Sequence, residues 1–105
     1  MSQRVVFAPE AEAQLVALYR YIAREASPEI ADRFTGAIVE HCERLESFPH
    51  RGTPRDDLRP GLRTIAFRRR VTIAYAVDAD QVAILGIFYG GQDIDAILSG
   101  DNSPT

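Results

Sequence analysis

The chain has 105 residues, 46% of them apolar, with one cysteine, two histidines and a formal net charge of −3. That length and apolar fraction suit a single domain, residues 1–105, with one modest core. A lone thiol excludes an internal disulfide, and so few scattered soft donors argue against structural zinc. No apolar run is long enough to cross a bilayer and no secretory signal opens the chain, so a soluble, cytoplasmic protein without a membrane partner is expected.

Val5-Val6-Phe7 predicts a short first strand. Pro9 then suits a first helical turn, where its missing N–H costs nothing. Glu10 and Glu12 place negative charge at the positive end of that helix. Ala11, Leu15, Leu18 and Ile22 form one apolar stripe, flanked by Tyr19 and Tyr21. Ser27-Pro28-Glu29 ends this helix and starts another, with the Ser27 hydroxyl as cap. Ile30, Phe34, Ala37, Ile38, His41 and Leu45 mark the second stripe. Glu29–Arg33 and Glu40–Arg44 are spaced for ion pairs on its outer face. So short a break predicts an antiparallel helical hairpin.

Residues 49–61, "PHRGTPRDDLRPG", carry three prolines and two glycines and read as an ordered loop. The period then changes to two. Leu62–Phe67 predicts a strand, and Val71, Ile73, Tyr75 and Val77 alternate with Thr72, Ala74 and Ala76. "DADQ" turns the chain into "VAILGIFYG", continuously apolar as a strand covered on both faces would be. "DIDAIL" predicts a last helical turn or an edge cover, and residues 99–105 a frayed tail. The expected fold is α+β, in the order β-α-α-β-β-β. A helical hairpin lies across one face of a small, mainly antiparallel sheet.

Charge is segregated along this order. Residues 51–70 hold seven arginines and two acids, a local balance of +5, whereas the rest holds five arginines and thirteen acids. Arg68, Arg69 and Arg70 fit a charged hairpin turn that discourages edge-to-edge aggregation. That reading leaves Arg51, Arg55, Arg59 and Arg63 unexplained. Arg63 shares a strand face with Ile65 and Phe67, where exposed charge is unexpected. A compact basic patch would bind an anionic partner, either nucleic acid or an acidic protein surface. Tyr89, at the end of the last strand, is the aromatic best placed to be exposed.

Other chemistry is sparse. "GG" at 90–91 lacks the flanking pattern of a phosphate loop, and no cofactor or metal is expected. Cys42 falls near an apolar stripe and reads as buried and inert. His41 reads as a packed or boundary side chain, and His50 as a surface loop residue. Asp56 and Asp57 are expected to pair with the arginines around them, and no carboxylate pair suggests acid–base work.

With these features in place, "VVFAPEAEAQLVALYRYIAREASPEIADRF", "LESFPHRGTPRDDLRPGLRTIAF" and "VTIAYAV…VAILGIFYGGQDID" together resemble the RelE/ParE superfamily of bacterial toxins. The long hairpin, the proline-glycine loop and the "GGQD" terminus resemble its ParE branch, whose members poison DNA gyrase. This resemblance implies a type II toxin–antitoxin module, active in plasmid stabilisation and growth inhibition. It also implies a ParD-like antitoxin with an acidic, partly disordered C-terminal segment, and contact with DNA only through that antitoxin. Target- or antitoxin-binding roles would fall to Arg63, Arg68, Arg69, Arg70, Tyr75, Tyr89, Gln92 and Asp93. No catalytic residue is implied on this branch. The alternative, a RelE-like ribosome-dependent endoribonuclease, would use Arg63 and Tyr89 catalytically. Gln92 stands where ParE-like chains often carry arginine, which leaves a weakened or inactive toxin-fold binding protein as a second alternative.

Overall fold

The computed structural model describes residues 4–90. The expectations for Gln92, Asp93, "DIDAIL" and the 99–105 tail lie outside those residues. Strand β1 covers Arg4–Phe7, and Ala8, with extended backbone, passes the chain to helix α1, Pro9–Glu25. Pro9 occupies the first turn with Glu10 and Glu12 close behind, as the dipole favours. Helix α2 spans Pro28–Glu43, capped by Ser27 Oγ, which accepts from the Ile30 N–H at 3.1 Å. A single 3₁₀ turn, Arg44–Glu46, extends it and buries Leu45.

Four strands follow: β2 (Thr53–Pro54), β3 (Leu62–Phe67), β4 (Val71–Val77) and β5 (Gln81–Tyr89). β2 lies within the segment expected to be loop alone. Two residues are too short to show a period, and its proline is tolerated because β2 is the sheet's edge. The sheet order is β1-β5-β4-β3-β2. β1 runs parallel to β5 and every other pairing is antiparallel, so the sheet is mixed.

The helical hairpin covers one face. Ala11, Leu18, Ile38, Cys42 and Leu45 cluster with Val71, Ile73, Tyr75, Val82, Ile84 and Ile87, and Leu15, Ile22 and Phe34 pack against that cluster half-buried. Ile30 departs from the expected stripe and is 47% exposed, because it sits in the first turn of α2 beyond the sheet's reach. The helical pairs Glu29–Arg33 and Glu40–Arg44 do not close to ion-pair distance; Arg55–Asp57, at 3.0 Å, does. Exposed helical pairs gain little against the entropy of holding two long side chains together.

The unbroken apolar run of β5 has a specific cause. Tyr75 pairs with Ile84 and Ala74 with Gly86, so Leu85 is an extra residue, a bulge that reverses the side-chain phase. Val82, Ile84 and Ile87 therefore all face the helices. Phe88 joins Leu62 and Ala74 on the other face, under Leu58 and Leu85. An added Cβ at Gly86 would stand 2.6 Å from the Phe88 ring, so a side chain there would have to displace that ring.

Candidate functional site

The arginine-rich segment does not form one patch. β3 runs between Arg63 and Arg68, and five residues of strand separate them by roughly 16 Å. The compact surface expected from the sequence is two sites at opposite ends of the sheet.

At the first end, Arg63 stands opposite Tyr75 in the β3–β4 ladder. Tyr75 is fully buried, and its hydroxyl accepts the Gly52 N–H at 2.8 Å. Burial pushes the phenol's pKa up, the Gly52 bond and nearby Arg63 and Arg51 partly opposing it. The Arg63 guanidinium donates from Nη2 to the His50 carbonyl at 3.1 Å. Both side chains thus hold the 50–52 segment against the sheet. Arg63 Nε is buried without a partner among the described residues. Asp57 pairs with Arg55, but Asp56 instead accepts the Gly61 N–H at 2.9 Å, closing the turn before β3. Gly61 has φ 79°, which suits glycine at that turn. An exposed His50 borders a small cavity of about 130 Å³ here with Asp56, Leu62 and Arg63.

At the second end, Arg68 and Arg69 form the tip of the β3–β4 hairpin. Their φ values are 50° and 64°, and the Arg70 N–H donates to the Phe67 carbonyl at 3.2 Å, closing a tight turn within the three residues between the paired Phe67 and Val71. The Arg68 guanidinium lies 4.9 Å from the Phe67 ring centroid and 6.0 Å from that of Phe34. Tyr89, which pairs with Val71 at the end of β5, packs against Tyr21 and Phe34 at 6.1 and 6.4 Å. The Gly90 N–H donates to the Arg70 carbonyl at 3.1 Å and ties the strand end to the turn. A cavity of about 300 Å³ opens beside Tyr21 and Tyr89, lined also by Gln14, Ala17, Leu18 and Ile87. A second, of about 170 Å³, lies among Ile30, Arg33, Phe34 and Arg68.

Arg68, Arg69, Arg70 and Tyr89 are therefore together, while Arg63 and Tyr75 are apart from them. Sequence reasoning missed Tyr21, Ile30, Phe34 and Gln14 as lining residues. Tyr21, one residue before the stripe position Ile22, was the visible signal. Gln14 carried none: its Oε1 accepts the Ile87 N–H at 2.7 Å, and that contact spans the fold.

Burial shifts two neighbouring groups toward their uncharged forms. The His41 ring lies 5.3 Å from Phe67, and burial, then Arg51 and Arg44, lower its pKa. Burial pushes the Cys42 thiol up to about 12. Native protein should therefore leave Cys42 unmodified by an aromatic disulfide reagent, and denaturant should make it react at once. Rapid native labelling would show that the α2 core opens readily. No group of three or more metal-ligating side chains comes together among the described residues, and none of their helices is long and apolar enough to cross a membrane.

Three comparisons bear on this geometry. The family model described as ParE toxin of type II toxin-antitoxin system, parDE, matches residues 5–94. Toxin ParE3 of Caulobacter vibrioides is 30% identical over 95 residues, which cover 90% of this chain and 94% of that protein. A solved structure of the chromosomal ParDE TA system from P. aeruginosa superposes with a TM-score of 0.75 at 25% identity. It covers 86% of this chain and 98% of its own.

Proposed function

Because the chain belongs to the ParE toxin family of type II toxin–antitoxin systems, we propose that it binds and poisons DNA gyrase without cleaving a covalent bond of its own. A ParD-like antitoxin is the partner this reading assigns, by likeness to the P. aeruginosa system. Its acidic segment would cover the toxin in the cytoplasm, and DNA would be reached only through the antitoxin.

The separation of Arg63 from Tyr89 carries the non-nuclease reading. RNA cleavage through the 2′-hydroxyl needs an acid, a base and a cation around one phosphate. Arg63 instead donates to the His50 carbonyl. Tyr89 lies four ladder positions and two strands away, roughly 16 Å between backbones. The phenol at that end has aromatic rings around it, suited to contact and not to proton transfer. Arg68, Arg69 and Arg70 then supply positive charge for binding and not for catalysis.

Purified protein should inhibit gyrase supercoiling, and its expression without an antitoxin should stop division and raise DNA damage while mRNA stays intact. Codon-positioned mRNA cuts on translating ribosomes that vanish with Tyr89→Phe would replace this reading with the RelE-like one. Activity in neither assay would leave a toxin fold that only binds.

A further inference from the structure

Residues 48–52 and Arg63 gather positive charge at the end of the sheet away from Tyr89. The Arg51 N–H donates to the Phe48 carbonyl at 3.3 Å, a tight turn that leaves Phe48, His50 and Arg51 exposed. Phe48, at 63%, is the most exposed large apolar side chain among the described residues. Arg63 reaches this turn from β3. A guanidinium carries five N–H donors, and among the described residues Arg63 spends one, from Nη2 to the His50 carbonyl. Its Nε is buried without an acceptor among them, which costs free energy in a folded chain. Arg51 stands close enough to act on the titration of both Tyr75 and His41, after the larger effect of burial. Neither Arg51 nor Arg63 lies within ion-pair distance of a carboxylate among the described residues. Arg63 and His50 line a cavity of about 130 Å³, well above the roughly 10–15 Å³ needed to admit one water. Asp56 also lines it, its Oδ1 engaged by the Gly61 N–H.

We propose that this cavity binds the phosphate group of a small phosphomonoester. The oxyanion lies against the edge of the Arg63 guanidinium that the His50 carbonyl does not occupy and accepts paired N–H bonds there. Arg51 supplies the second positive charge, and the exposed His50 ring yields to admit the ligand. Two guanidiniums outweigh the one carboxylate, Asp56, on the cavity wall. A phosphate suits both arginines better than a carboxylate, because it has a third terminal oxygen to offer. Phe48 bears on the source: a nucleoside phosphate gains an exposed ring on which its base can stack, and inorganic phosphate does not. The site lies at the opposite end of β3 from Arg68–Arg70, so it and the gyrase reading stand or fall separately.

The test titrates inorganic phosphate, and separately AMP, into the ¹⁵N-labelled full chain at low salt, read by NMR. The His50 ring and Gly52 amide signals should move with half-saturation on the order of 1 mM, while the Arg68–Arg70 amides stay in place. Arg63→Lys, which keeps the charge but not the paired donors, should weaken binding about tenfold. Arg51→Gln should weaken it about threefold, a gap that closes as salt rises. Both variants should keep the wild-type amide spectrum away from the turn. Should Arg63→Lys loosen the fold, Arg51→Gln carries the test, because that side chain is exposed. AMP binding more tightly than phosphate, with the gain lost in Phe48→Ser, identifies a nucleotide as the ligand. Equal or weaker binding of AMP identifies free phosphate. No shift at about 20 mM of either ligand, well above the expected half-saturation, overturns the proposal. So does an equal loss of binding in Arg68→Gln/Arg69→Gln/Arg70→Gln, which would show general attraction to a basic chain and not a site.

Discussion

Ile38→Ala should lower the free energy of unfolding by about 2–5 kcal/mol, read as a shift of the denaturant midpoint at unchanged slope. Ile38 is fully buried at the centre of α2, within the cluster that joins both helices to Ile73, Tyr75 and Ile84. Truncation removes buried methyl and methylene groups and leaves a cavity. The neighbours cannot close it without moving a helix off the sheet. The size of the loss decides between two pictures of the hairpin. A loss near the top of that range means the site stays rigid, whereas a near-neutral result would mean that α2 slides inward and that the hairpin is loosely held. Because a domain of this size is only marginally stable, the variant should also accumulate poorly in cells.

Gly52→Ala should cost about 2–4 kcal/mol, although the change adds a single methyl group to a loop. A Cβ there would stand 2.5 Å from the Thr64 carbonyl oxygen and 2.7 Å from the Tyr75 hydroxyl. The Thr64 contact is backbone and cannot swing away, so the 50–52 segment must lift from β3. Lifting it breaks the Gly52–Tyr75 bond and leaves a hydroxyl unpaired on a fully buried ring. It also draws the His50 carbonyl away from Arg63. Tyr75→Phe alone should cost about 1 kcal/mol through the lost bond. In the double variant the hydroxyl contact is gone, so the combined loss should fall short of the sum. Strict additivity would show that the clash with Thr64 alone governs the effect and that the phenol does not hold the loop.

The two helices and the strand β4 could be read from local pattern, since each is set by neighbours a few residues apart. The stripe through Ala11, Leu15, Leu18 and Ile22 repeats the helical period, and Ser27-Pro28 both stops one helix and caps the next. Val71, Ile73 and Tyr75 alternate toward the helices as a strand must. The family was legible for the same reason: its pieces are local motifs in a given order. The expectation that failed most clearly was the compact basic patch, and it failed because adjacency in sequence is not adjacency across a strand. Arg63 and Arg68 are five positions apart, and extended backbone turns that interval into the length of the sheet.

By itself, then, the sequence determined the helical hairpin, the alternating strand, the arginine tip of the β3–β4 turn and the segregation of charge. All follow from backbone geometry over one or two turns of chain. Only the tertiary structure decided that β1 lies parallel beside β5 and that Leu85 bulges to reverse the face of Ile87. It also decided that Arg63 holds the His50 loop while Arg68 lies on Phe34 and Phe67. These features depend on pairings between distant residues, such as Gly52 with Tyr75 and Gln14 with Ile87, 23 and 73 positions apart. No local period encodes them, because which strands pair, and in what register, is settled by the burial of the whole core at once.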